Sequence, residues 1–393
     1  MKKSWEIKKL GDVCNFVRGP FGGSLKKECF VEDGFAVYEQ QHAINNQFDE
    51  IRYFIDEAKF KEMKRFELLA GDLIMSCSGT MGKAAIVPNG IKKGVINQAL
   101  LKLTPKSNLN IQFLKYWMDS EDFKISISKH SKGAAIKNVA SVQILKSISL
   151  PIPNIEEQNH IVSILDEALV LAEQAKENVQ CNLQNAKDLF QSEKNQVFEN
   201  LAKREGKVPI ASVCNEIFAG GDAPKGNFSD EKTEKYSIPI FANAVGRKGL
   251  YGFTDVSRVT EPSITIAGRG SGTGYAEIRY EPFFPIVRLI VLTPNIEKIT
   301  LEFLKYAIQS LDILISGSAI PQLTIPMIKG YSLPLPSLKE QEKIVYQFGT
   351  LAVETKNLEN IYQQKLNALE ELKKSILQKA FSGELTKHLH ATV

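Results

Sequence analysis

The stretch SLPIPNIEEQNHIV (149–162) returns as SLPLPSLKEQEKIV (332–345), 183 positions later. A chain that carries the same text twice around unlike text is constrained to a duplicated fold. At this single offset Pro151, Pro153, Glu157, Gln158, Ile161, Val162, Val170, Gln180, Leu183, Leu189, Ser192 and Phe198 recur as Pro334, Pro336, Glu340, Gln341, Ile344, Val345, Val353, Gln363, Leu366, Leu372, Ser375 and Phe381. An earlier echo, LTP at 103–105 and FLKY at 113–116, returns at 292–294 and 303–306. The order is globular part, long helix, globular part, long helix.

Pro-x-Pro keeps the backbone extended, and each copy then supplies an N-cap with Glu three residues on, Asn154 with Glu157 and Ser337 with Glu340. Neither Pro nor Gly follows until Gly206 in the first copy, and only Gly349 precedes Gly383 in the second. The expected boundaries are a first head at 1–153, a helix at 154–200, a second head at 201–336, and a second helix with tail at 337–393. Steps of four and three pick out Ile344, Phe348, Leu351, Leu358, Tyr362, Leu369 and Leu372 as a coiled-coil seam, matched by Ile161, Leu165, Val179 and Leu189 in the first copy. The expected fold is therefore two mixed α/β heads joined by two long antiparallel helices in a coiled coil, with a pseudo-twofold axis.

Charge follows this division. Residues 1–150 hold 23 basic against 16 acidic side chains, while 151–200 hold 3 against 9. Positive heads suit a polyanion and an acidic helix suits protein partners. The five cysteines are scattered, with no C-x-x-C pair, and are read as reduced and mostly buried. No apolar run approaches the roughly 20 residues that span a bilayer, and a cytoplasmic protein is expected.

Outside the echoes the heads differ, which assigns scaffold to the shared text and recognition to the private text. The first head has GPFGGSLKK (19–27) and YEQQHAINN (38–46); the second has GGDAPKGNFS (220–229), IFANAVGRKGLYGF (240–253) and IAGRGSGTGYAEI (266–278). Glycines let backbone N–H groups approach phosphates, Gln and Asn pair bidentately with adenine, and Arg with guanine. Gln40, Gln41, Asn45 and Asn46 fit the first role, and Arg247 and Arg269 the second. His42 either donates to a base or phosphate or is a satisfied structural residue. Lys26, Lys27, Lys83, Lys225 and Lys248 are phosphate contacts or solubilising surface charges. Ser78, Thr80, Asn243, Ser271, Thr273 and Tyr275 complete the candidate DNA-binding set. The chain has no Walker motif, nucleophile elbow, H-E-x-x-H or paired Cys and His at metal spacing, so no catalytic or metal-binding residue is expected.

The doubled L-P-[IL]-P-x-[IL]-x-E-Q-x-x-I-V box, the SGT turns (78–80 and 271–273) and the ending ILQKAFSGELTKHL (376–389) resemble the specificity subunits of Type I restriction-modification systems. The resemblance implies a noncatalytic subunit whose heads are target recognition domains, each reading one half of a split, asymmetric site in double-stranded DNA. It implies helices that set the spacer and bind two modification (methyltransferase) subunits, joined by restriction-translocase subunits. S-adenosylmethionine, Mg and ATP are then expected on those partners and no cofactor on this chain. Two other readings fit the architecture: the specificity subunit of a related system with a fused methylase-nuclease partner, and a two-headed protein-binding scaffold. The first copy ends VFENLAKREGKV where the second reads AFSGELTKHLH, so identical contacts to both modification subunits are not implied.

Overall fold

A computed structural model of the protein describes residues 5–78, 80–129, 142–270, 272–311 and 322–387. The chain divides into two compact units, residues 1–179 with 365–393, and residues 180–364. Each combines one globular part with one end of each long helix.

In the first unit β1 (Glu6–Lys9) pairs with β11 (Ser149–Ile152). A four-stranded antiparallel sheet has the order β2 (Cys14–Arg18), β10 (Leu100–Pro105), β7 (Leu73–Ser76), β8 (Ala84–Ile86). A five-stranded sheet has the order β3 (Phe30–Val31), β5 (Phe54–Ile55), β4 (Phe35–Tyr38), β9 (Gly94–Ile96), β6 (Glu67–Leu68), with β4 and β9 parallel.

The second unit repeats the plan. β12 (Val208–Pro209) pairs with β21 (Ser332–Leu333). The sheet β13 (Cys214–Ala219), β20 (Ile290–Pro294), β17 (Ser263–Ile266), β18 (Ala276–Arg279) matches the first four-stranded one. The sheet β14 (Phe228–Ser229), β16 (Leu250–Thr254), β15 (Ile238–Phe241), β19 (Phe284–Pro285) also carries one parallel pair, β15 with β19. The heads are mixed α/β, as expected.

The long helices run from Ile155 to Glu205 and from Leu338 to Ser382. Their caps follow the sequence: Asn154 Oδ1 accepts from Glu157 N at 2.8 Å, and Ser337 Oγ from Glu340 N at 3.4 Å. Gly206 and Gly383 end them at positive φ, 74° and 80°, the left-handed conformation that closes a helix C-terminus. The repeated glutamine has one task in both copies. Gln158, fully buried, donates through Nε2 to the carbonyls of Asn108 and Pro153 and accepts through Oε1 from Asn110 N. Gln341, equally buried, donates to Lys298 and Pro336 and accepts from Thr300 N. Each glutamine ties the start of a long helix to the loop before a short helix, Ile111–Asp119 or Leu301–Gln309.

The two helices are antiparallel within each unit. In the first, Glu157 accepts from Thr386 Oγ1 at 2.5 Å, and Lys176 meets Glu370 at 2.8 Å further along. In the second, Phe190 packs on Phe348 while Arg204 pairs with Glu340. Phe381 stacks edge-on against Phe113 at 5.2 Å, and its repeat partner Phe198 lies 5.3 Å from Phe303. The end of each helix thus completes the core of a head to which its own repeat does not belong.

The seam needs a correction. Ile161, Leu165, Ile344 and Phe348 are buried, and Val179, Leu351, Tyr362 and Leu369 half-buried. Leu189, Leu358 and Leu372, expected in the seam, are 44%, 36% and 47% exposed. A strict 3.5-residue repeat drifts about 20° per heptad from an unwound α-helix. One position on from Leu189, Phe190 faces Phe348 and Tyr306 instead.

Lys194 lies in the buried face of the first helix, 2% exposed, where the second repeat has the buried Leu377. Its ammonium rests 5.7 Å from the Phe190 ring, with no ion pair among the described residues. Burial holds its pKa down to about 8, against an ordinary 10.5. Folding then favours the neutral amine, so stability rises as pH climbs from about 8 toward 10.5. Lys194→Leu is expected to stabilise the second unit at pH 7 by on the order of 2–3 kcal/mol. Denaturant unfolding at pH 7 and pH 10 checks this, because the gain should shrink at the higher pH.

Among the described residues no helix is long and apolar enough to cross a membrane. Of the cysteines, Cys14 and Cys77 are buried, Cys29 and Cys214 half-buried, and Cys181 exposed.

Candidate nucleic-acid interface

In the first unit three candidate loops spring from residues 97–100, the turn between β9 and β10 with the first residue of β10. Asn97 N donates to Tyr38 O at the end of β4, at 2.9 Å. Cys77 N, just past β7, donates to Ala99 O at 2.9 Å, and Gly19 N, just past β2, donates to Leu100 O at 3.0 Å. Glycine is required at position 19, since a Cβ there would lie 1.8 Å from Asn97 O. The loops beginning at Gly19, Gln40 and Ser78 are distant in sequence yet share this anchor.

The second unit repeats two of these three backbone anchors at 286–289. Ile286 N donates to Phe241 O at the end of β15, and Gly220 N donates to Leu289 O, both at 2.8 Å. A Cβ on Gly220 would lie 2.6 Å from Pro285 C. Here a side chain adds to the anchor: Asn243 accepts from Gly268 N at 2.8 Å and donates to Val287 O.

The candidate residues divide by what the fold leaves free. Gln41, in the first turn of the short helix Gln40–Asn45, and Asn45 and Asn46 at its end are exposed, and Gln40 is half-buried with its Oε1 unpaired among the described residues. His42 is 1% exposed. Its Nδ1 accepts from Glu39 N at 2.8 Å and its Nε2 donates to Glu50 O at 3.0 Å. That corrects the reading of His42 as a donor to DNA, because both ring nitrogens are spent on backbone. Lys26, Lys27, Thr80 and Lys83 are exposed and Ser78 half-buried. Ser76 shapes their turn by donating through Oγ to Thr80 O and accepting from Lys83 N.

In the second unit Lys225, Arg247, Lys248 and Arg269 are exposed. Arg247 and Lys248 both adopt positive φ, 50° and 53°. The Asn243 amide is used within the fold at both ends; Thr273 and Tyr275 are half-buried, with Thr273 Oγ1 donating to Gly270 O and Tyr275 OH to Glu277. Ser271 lies outside the described residues. Arg258, which the loop chemistry overlooked, is exposed with its guanidinium 4.5 Å over the Phe218 ring. Its position after β16, away from any Gly-rich run, gave no signal. Among the described residues no cluster of His, Cys, Asp and Glu could hold a metal ion.

Two α/β units built on one plan, each with loops gathered on a single turn and an end of both long helices, define a duplicated two-headed protein. The family model described as the type I restriction modification DNA specificity domain matches residues 2–179 and 203–371, and the chain belongs to that family of specificity subunits. It is 26% identical over 345 residues to S.MpnORF507P of Mycoplasma pneumoniae, provisionally named a type I specificity subunit, with 86% of each chain covered. Its fold is similar to a chain from a structural study of complex assembly and conformational transition in a type I R-M system, at TM-score 0.77 and 16% identity over 97% of this chain and 98% of that one. It is also similar to the HsdS subunit of Thermoanaerobacter tengcongensis, at TM-score 0.65 and 17% identity over 98% of each chain.

Proposed function

We propose that this chain is a noncatalytic subunit that reads a bipartite site in double-stranded DNA, with residues 1–153 and 201–336 as target recognition domains for one half-site each. The observation that carries this is the repeated hub: the same anchor in both units presents loops of different chemistry, amide-rich in the first and arginine-rich in the second. Scaffold repeated and reading surface varied is what an asymmetric split site requires. Exposed side chains such as Gln41, Asn46 and Arg247 add about 1–3 kcal/mol each to discrimination when paired bidentately with a base. Lysines such as Lys26, Lys27 and Lys83 bind any sequence and weaken with salt.

The long helices set the spacer and dock two modification subunits, which bring S-adenosylmethionine and methylate the target adenine. The repeat's glutamate is buried against Thr386 in the first unit and surface-paired with Arg204 in the second, so the two docking surfaces differ in detail. Restriction-translocase subunits complete the cytoplasmic assembly.

Single-molecule methylation mapping of host DNA with and without this chain tests the reading. A bipartite motif methylated only when the chain is present is expected. Methylation of that motif by the partners without the chain would overturn it.

A further inference from the structure

The hub turns hold up the other loops, and they also project side chains of their own. Matching backbone bonds place the two turns in register. Gly19 N to Leu100 O corresponds to Gly220 N to Leu289 O, and Leu100 N to Asn97 O corresponds to Leu289 N to Ile286 O. Positions 98 and 99 of the first unit therefore stand where 287 and 288 stand in the second. Buried residues precede these tips, Asn97 at 9% and Ile286 at 1% exposure. The tips themselves carry an exposed glutamine, Gln98, and an exposed arginine, Arg288. Neither side chain forms a hydrogen bond or ion pair among the described residues.

The backbone beneath them is fixed differently in each unit. Asn97 Oδ1 accepts from Ala99 N at 3.0 Å and closes the first turn. In the second, Val287 and Arg288 both take positive φ, 52° and 59°, a conformation that a β-branched residue adopts only when its surroundings impose it. Those surroundings are visible: Val287 N donates to Gly221 O at 2.7 Å, Arg288 N donates to Gly220 O at 3.0 Å, and Asn243 holds the Val287 carbonyl. A long side chain on a strained, fully tethered turn has its root held while its tip stays free. A bidentate base contact needs that arrangement.

Resting on the DNA-reading function above, we infer that Gln98 and Arg288 are specificity-determining residues, one in each unit. Gln98 presents an amide suited to the N6 and N7 edge of adenine, and Arg288 a guanidinium suited to the O6 and N7 edge of guanine. Both project from the turn on which the other reading loops converge.

The test is methylation mapping with the full chain and its modification subunits, comparing wild type, Gln98→Ala, Arg288→Ala and Arg288→Lys. Gln98→Ala is expected to relax one base position of one half-site by about tenfold or more, and Arg288→Ala one position of the other half-site by a similar factor. Arg288→Lys should fail to restore the position, because an ammonium cannot form the two-pronged contact. Both residues are exposed, and thermal melting should give unchanged midpoints. Unchanged motifs in both alanine variants would overturn the inference and leave the two-reader function standing, as would uniform weakening across all sequences, the mark of a phosphate contact. A wild-type chain that directs no site-specific methylation would overturn both.

Discussion

Replacing Gln158 by methionine is expected to destabilise the first unit by about 3–5 kcal/mol, and Gln341→Met to do the same in the second. Methionine keeps the volume of the side chain and loses every polar contact. Three backbone groups are stranded in each case: two carbonyls that receive Nε2 and one N–H that reaches Oε1. Both glutamines are at 0% exposure, so water cannot take over those bonds without opening the junction. Gln184→Met, on an exposed helix face, is the control and should change stability by about 0.5 kcal/mol or less. Denaturant unfolding reads the loss, and hydrogen exchange at Asn110 and Thr300 locates it. Midpoints that move no more than the control would mean the glutamines are not the clamps.

The second large effect concerns exchange of a whole unit. Replacing residues 180–364 by the matching unit of a relative with helices of equal length is expected to change one half of the methylated motif and keep the other half and the spacer. Exchanging only 201–336 cuts through a core, because Phe198 belongs to the helix yet packs on Phe303 and Phe348. A mismatched neighbour at Phe198 costs about 3 kcal/mol or more, so this shorter exchange should give a chimera with a lower melting midpoint. Methylation mapping and thermal melting read the two outcomes. If both halves of the motif changed together after the longer exchange, the assignment of one half-site to each unit would fail.

Much of this plan was readable beforehand because repetition and capping are local. Asn154, Ser337 and the Pro-x-Pro runs mark helix starts within four residues of chain, and the structure forms both caps. The glutamine of the box was legible as repeated, but its bonds to Asn108 and Lys298 reach 50 and 43 residues away. The seam failed at Leu189, Leu358 and Leu372 for a geometric reason: a strict 3.5-residue template drifts from the roughly 3.6-residue turn of an α-helix, and Phe190 rather than Leu189 meets Phe348. The hub was invisible for a topological one. Gly19, Tyr38, Cys77 and Ala99 meet only once the sheets have formed, and no window of sequence contains them all. His42 looked available because its neighbours are amides, whereas its partners, Glu39 and Glu50, are backbone atoms that no composition argument reveals.

The division of the chain also dictates an order of manufacture. The second unit is one uninterrupted stretch, 180–364, whereas the first needs 365–393 to finish. Phe381 and Thr386, which fill its core and satisfy Glu157, are translated only after the whole of the second unit. The unit begun first is therefore completed after the other, and until residues 365–387 are made its apolar surface waits uncovered, a demand that N-terminal-first maturation does not meet.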